Sequence, residues 1–504
     1  MPTERRQTKI RNTVLILCLA LFFDYTATGN AVRGGATQQT IYAINTQQKE
    51  MNDNRDALDF GTMNVPRLFV KLFVPTLMGL IFSALLNLAD GIFVGRGVGS
   101  DALAAINVAA PIFLISTGIA LLFATGVSIV AAVHLAQGKT KAACINVTQA
   151  FMASGFILVL FSLTIYAAPS TLCYLFGGST RLEPLVVAYL QGVAPVPVLT
   201  SVMFVGMFVI RLDGSPRYAM MCNVLPSLIN IALDWLFVFP LHMGIAGAAI
   251  ATSLSEALAV VGVVIYMTCW SRTIHWHAPR LSATSMRLTL RNVGYMARLG
   301  LSTFIGETAI VCMLVVGNYM FIRYLHEDGV AAYSVACYLF PLVFMFGNSI
   351  AQASLPIVSY NYGQHNEPRI RSIFRLTAGL AVVLGLAITI FCMAESDVLI
   401  SLFLQEGSKA YAIGCEGFPY FTLGFLFFTV NIVLIGFYQS IEQTQRATLW
   451  MLLRGVILVI PCFVLLPSMI GHQGLWLAVP LSESLTTAVI LLCLLHDRLR
   501  RPRA

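Results

Sequence analysis

Beyond residue 66 the chain is a succession of long apolar runs separated by short polar connectors. A helix that crosses a bilayer needs about 20 predominantly apolar residues, and that length rule predicts about twelve spans. The first six cover 66–94, 102–134, 142–168, 184–210, 218–239 and 245–270. A basic connector follows at 271–291, and six more spans cover 292–323, 330–361, 370–394, 410–439, 447–467 and 474–496. Backbone groups in lipid must find partners within their own segment, so the pattern predicts an all-α polytopic membrane protein. Residues 497–504 form a basic tail.

Residues 1–65 break the pattern. Arg5, Arg6, Lys9 and Arg11 precede an apolar run from Thr13 to Phe23, too short to span. A basic start before a short apolar core resembles a leader. An interfacial helix is the other reading. Met51 opens a polar stretch that leads into the first span, so 1–65 is expected to be an extension, leader or disordered segment.

The halves repeat. Leu254-Ser-Glu-Ala-Leu258 recurs as Leu481-Ser-Glu-Ser-Leu485, 227 residues on. Pro240, Gly247 and Ala104-Ala105 recur at the same offset as Pro467, Gly474 and Ala331-Ala332. Each half holds an even number of spans, so the halves are parallel repeats about an axis normal to the membrane. The expected architecture is two pseudo-symmetric six-helix bundles, an N-lobe at 66–270 and a C-lobe at 292–496. Paired bundles of this kind usually enclose a central cavity and rock against one another.

Composition agrees with this layout. The chain is 58% hydrophobic and 11% charged, against about 25% charged in a soluble domain, and no segment is polar and long enough for a folded extramembrane domain. Its net charge of +8 lies mainly in loops and tails, which argues against nucleic-acid binding. One set of connectors carries Lys139 and Lys141, Arg211 and Arg217, Arg272 to Arg291, Arg369 and Arg371, and Arg446. The alternate set carries only Arg96, Arg181, Arg323 and Lys409. Such alternation follows the positive-inside rule and predicts both termini in the cytoplasm. The 11 cysteines lie scattered in apolar segments and read as small hydrophobes. His275 and His277 are too few for a metal centre. No nucleotide-binding loop or hydrolytic motif occurs.

The polar residues inside the spans carry the chemistry. Asn230 and Asp234, four apart, share one face of the fifth span. A carboxylate at that depth is costly unless it faces protein or a water-filled hollow. Asp90 in the first span and Thr252 in the sixth add two more oxygen donors. Two carboxylates in one low-dielectric site cannot both ionise cheaply: one keeps a proton, or a cation sits between them. Oxygen ligands of this kind suit a hard cation such as Na⁺. The positions 227 residues later are Gly317, Ile457 and Pro461, so the acidic cluster belongs to the first half alone. The plainer reading makes Asp90 a helix-end residue before Gly91 and leaves Asp234 bonded locally. Glu256 and Glu483 occupy equivalent positions; they either attract cations into a cavity or serve packing, as Glu483 would against Arg454. Tyr338, Phe340, Phe344, Met345, Phe425 and Phe428 either line an adaptable apolar pocket or are ordinary core residues.

Several stretches resemble the multidrug and toxic compound extrusion (MATE) family over roughly 60–495, most of all its bacterial MepA-like branch. They are Asn87-Leu-Ala-Asp90-Gly-Ile-Phe-Val-Gly95 with Ala102-Leu-Ala-Ala-Ile106, Arg211-Leu-Asp-Gly-Ser-Pro-Arg217, the run 226–252, Phe437-Tyr-Gln-Ser-Ile-Glu-Gln-Thr-Gln-Arg446, and Leu453-Arg454-Gly455. The resemblance implies a monomeric antiporter in the plasma membrane (bacterial inner membrane). It would expel small organic cations or drugs in exchange for H⁺ or Na⁺, with no other cofactor. It also implies that Asp90, Asn230, Asp234 and Thr252 handle the ion, and that a seventh-span glutamate, here Glu307, belongs to the cavity, although Glu307 is about one turn from the expected position. The expected cavity residues are therefore Glu256, Glu307, Tyr338, Phe344 and Met345. A flippase for lipid or polysaccharide precursors and an integral membrane enzyme are the alternatives. The first needs a basic cavity and the second a catalytic constellation.

Overall fold

A computed structural model describes residues 58–98, 100–176, 180–277 and 282–500. Most of the 1–65 extension and the end of the basic tail therefore lie outside the described residues. All regular structure among the described residues is helical. The first half comprises α1 (Val65–Gly97), α2 (Ser100–Ala136), α3 (Thr140–Ala167), the short α4 (Pro169–Leu175), α5 (Glu183–Val193), α6 (Val196–Leu212), α7 (Pro216–Val238) and α8 (Gly244–Ile265). The second comprises α9 (Ala283–Gly363), α10 (Glu367–Ala394), the short α11 (Ser396–Ser401), α12 (Lys409–Ser440), α13 (Thr444–Leu452), α14 (Val459–Ile470) and α15 (Gln473–Arg500). Eleven helices among the described residues are long and apolar enough to cross a membrane, or twelve with one bent pair counted as a span.

Local chemistry sets these bounds. Asn64 caps α1 by accepting from the Arg67 amide, and Asn366 caps α10 by accepting from Arg369. Each is followed by a proline in the first turn, where a missing N–H costs nothing. Gly138 (φ 70°) and Gly214 (φ 88°) adopt the left-handed backbone that turns α2 into α3 and α6 into α7.

Three departures from the expected spans have local causes. The fourth span is not continuous: α5 and α6 meet at a 45° bend, where Pro195 and Pro197 remove two successive helical donors. The seventh and eighth spans, the two parts of α9, meet without a loop at His326, whose φ of 58° and ψ of −153° are non-helical. The basic connector is also shorter than 271–291, because α9 begins at Ala283 with Ser282 as its cap.

Outward-facing Phe156, Leu160 and Leu163 on α3 stay exposed, as a lipid-facing stripe should. Each half has its own buried apolar cluster. The separation is not complete: Met296, Leu299 and Leu355 of α9 join the cluster of the first half, and the first turns of α1 (Leu68, Phe69, Leu72) pack on Ile350, Ile357 and Ile373 of the second half. Further along, α1 joins the first half, where Ser83 donates to Asn223 of α7 at 3.1 Å.

The halves meet at one end. A Cβ at Gly126 on α2 would fall 2.1 Å from the Met296 carbonyl oxygen of α9, and one at Gly300 1.8 Å from that of Leu122. Only glycine permits that approach of backbones. Around this seam Arg211 donates to Gln352 at 2.8 Å, Gln149 to Thr289 at 2.9 Å and Asn292 to Gln149 at 3.1 Å. Arg369 also holds the chain before α1, donating to the carbonyls of Phe60 and Met63. All of these contacts lie toward the basic connectors.

Candidate functional site

The fifth span supplies the base of the site. On α7, Asn223, Ser227, Asn230 and Asp234 recur at helical spacing and all are buried, forming a polar stripe turned into the first half. Asp234 has no exposed surface, yet neither of its carboxylate oxygens has a hydrogen-bond partner. The Asn230 amide nitrogen and one oxygen of Asp90 are likewise buried and unpartnered. Buried polar groups are nearly always hydrogen-bonded, so four such atoms on three neighbouring side chains mark a place built for a ligand that bonds to them. Asp90 and Asp234 lie close enough for the charge of one to act on the other. On α8, Thr252 bonds back to the Ala248 carbonyl at 3.0 Å, which leaves its oxygen lone pairs as acceptors.

Tyr189 on α5 also belongs here and was not anticipated. It is buried, and both aspartates act on its phenol. A lone tyrosine within an apolar run carries no signal.

The remaining expected residues are not gathered in one place. Glu256 lies one turn beyond Thr252, with one oxygen buried and unpartnered. Glu307 is buried on α9 and faces Gly118 of α2, at the seam between halves. Met345 is buried and Phe344 packs on Phe428, with ring centres 5.9 Å apart. The Tyr338 side chain lies outside the described residues. Phe340, Phe425 and Phe428 belong to the buried aromatic core of the second half.

Glu483 differs from its repeat mate. Arg454 grips it from the guanidinium edge, Nη2 at 2.6 Å and Nε at 3.0 Å from Oε1, and Asn431 donates to Oε2 at 2.7 Å. The Arg454 guanidinium also lies over the Phe428 ring at 4.3 Å. This is a satisfied buried pair, the packing reading of the sequence. Asp213 is another residue whose role the sequence hides: its carboxylate accepts from the amides of Arg272, Thr273 and Ile274 and from the Tyr266 hydroxyl, fastening the connector to the first half.

Fold and site together define a duplicated helical-bundle membrane protein whose first half buries the unpartnered side chains of Asp90, Asn230 and Asp234. The MatE family model matches residues 75–236 and 302–464, one copy per half, and the chain belongs to that family. Among curated relatives it is 24% identical over 445 residues to the multidrug export protein MepA of Staphylococcus saprophyticus, covering 86% of this chain and 94% of that one. Its identity to MepA of Staphylococcus haemolyticus is 21%, covering 88% and 97%. Among solved structures, a multidrug resistance MATE transporter in an outward-facing conformation superposes with a TM-score of 0.76 at 21% identity, covering 84% of this chain and 94% of that one. A Pyrococcus furiosus transporter described as having a binding pocket of reverse polarity gives 0.79 at 20%, covering 85% and 95%.

Proposed function

We propose that the protein is a secondary active multidrug efflux transporter, exchanging small organic, often cationic, compounds for H⁺ or Na⁺ by alternating access. Membership of the MatE family and the export function named for the MepA relatives support this reading. The observation that carries the coupling is the set of unpartnered buried oxygens on Asp90 and Asp234. A proton or Na⁺ held by Asp90, Asn230, Asp234 and Thr252 neutralises that charge. Loss of the ion re-exposes it, and the difference in binding between two conformations moves the lobes. The drug route runs past Glu256, Glu307, Tyr338, Phe344 and Met345.

The seam carries the basic connectors. With those in the cytoplasm, both termini are cytoplasmic, the protein is a multi-pass protein of the bacterial inner membrane, and the described conformation opens outward. A monomer suffices, since each chain holds both lobes, and no catalytic step is involved. A flippase for anionic lipid-linked precursors fits less well, because the unpaired charges in the hollow are acidic.

The test is ethidium efflux from proteoliposomes under separately imposed pH and Na⁺ gradients. One gradient is expected to drive transport, and efflux driven by neither would overturn the antiport reading.

A further inference from the structure

Glu256 and Glu483 are the same position in the two repeats, yet one is fully bonded and the other is not. The three side chains that satisfy Glu483 are Arg454, Asn431 and Thr487, the last through Asn431 at 2.8 Å. Their counterparts 227 residues earlier are Ser227, Phe204 and Val260. Ser227 spends its proton on the Asn223 carbonyl at 2.8 Å. Glu256 therefore keeps the carboxylate and has lost the guanidinium, the amide and the hydroxyl. Among the described residues no cation pairs with it, and Oε2 is buried without a donor.

The wall facing Glu256 is also short of donors. The face of α8 that carries Ala249, Ser253, Glu256 and Val263 packs on the broken fourth span. A Cβ at Gly192 would fall 2.6 Å from that of Ala249, and one at Gly206 2.2 Å from Val263 Cγ1. Glu256 sits between those two contacts, opposite the break. Pro195 and Pro197 bring no N–H to the carbonyls of Gln191 and Val193 four residues earlier. The one hydroxyl nearby, Ser253, already donates to the Gly192 carbonyl at 2.8 Å. A buried carboxylate oxygen without a donor is an open acceptor, and it calls for a planar cation with several N–H groups.

We infer that Glu256 is the docking point for an amidinium or guanidinium group of the cargo, which takes the place that Arg454 fills in the other repeat. The inference rests on the efflux reading and specifies its substrate class. An aryl amidine presents two parallel N–H donors to the carboxylate and leaves further N–H groups for the carbonyls. A quaternary phosphonium has the charge without the donors, so the site gives it only Coulomb attraction.

The experiment uses the purified full chain, measuring binding and proteoliposome efflux of a fluorescent bis-amidine of the diamidino-phenylindole type beside tetraphenylphosphonium. Glu256→Gln keeps the volume but removes the charge for both probes; it is expected to weaken the amidine, which also loses its paired N–H bonds, by about tenfold or more, and tetraphenylphosphonium, which loses Coulomb attraction alone, several-fold less than the amidine. Equal effects on both probes, or none on the amidine, in folded Glu256→Gln protein would overturn the assignment. Tetraphenylphosphonium efflux with no amidine transport by the unaltered protein would overturn it too, while leaving the efflux reading intact. Transport of neither cation would instead strike the efflux reading and take this inference down with it.

Discussion

Asp234 is fully buried, and both of its oxygens lack hydrogen-bond partners. Leaving such a carboxylate without a proton, cation or donor is costly, and on the proposed antiport reading an ion that comes and goes accounts for its retention. Asp234→Asn and Asp90→Asn each remove a titratable, cation-binding oxygen at nearly unchanged volume. Each is expected to weaken coupling between ion and drug by about 5- to 150-fold, the usual range for linked sites, while drug binding without a gradient persists. Ion-gradient-driven ethidium efflux measures the first, equilibrium binding the second; wild-type coupling in either variant would sink the role. Tyr189→Phe removes only a phenol that both aspartates act on. Its expected effect is a few-fold shift in the ion concentration giving half-maximal efflux, with the maximal rate kept. At this scale the sequence was informative wherever a charge stood alone in an apolar run, as at Asp234. It was silent at Tyr189, because an aromatic residue in a span is ordinary.

Helices were legible because hydropathy measures what lipid demands of a segment, and the expected spans end within a few residues of the observed ones. What the pattern missed is backbone detail: prolines at 195 and 197 read as part of an apolar run, and the turn between the seventh and eighth spans through the single non-helical residue His326 has no hydropathic signature. The Arg454–Glu483 pair was readable as a candidate from the repeat, yet its geometry needed the fold. Arg454 belongs to a five-residue π-helical turn, Leu453–Ile457, between α13 and α14. Breaking a buried pair strands one charge, whereas replacing both partners with apolar residues of similar size can be nearly neutral. Arg454→Leu is therefore expected to destabilise the second bundle by about 3–5 kcal/mol, and Arg454→Leu with Glu483→Leu by clearly less. Thermal unfolding of the purified variants gives the coupling energy. If the single variant melts with the wild type, the pair does not hold α13, α14 and α15 together.

For the whole molecule, the distribution of contacts defines a state. The Arg211–Gln352, Gln149–Thr289 and Asn292–Gln149 hydrogen bonds between the halves lie toward the basic connectors, and there the glycines at 126 and 300 let α2 and α9 touch backbone to backbone. A transporter that alternates must separate those surfaces. The Thr125 and Thr303 hydroxyls face each other across the seam at 3.5 Å, within the reach of a disulfide between cysteines at the same positions. In a background freed of native cysteines, Thr125→Cys with Thr303→Cys is expected to stop efflux on oxidation and to recover it on reduction, with each single variant unaffected. Because the bond would hold the seam shut, the locked protein should still admit drug from the open end, so binding in detergent survives while turnover does not. Undiminished efflux by the quantitatively cross-linked protein would mean that the seam never opens, and transport would then have to proceed without the two lobes parting.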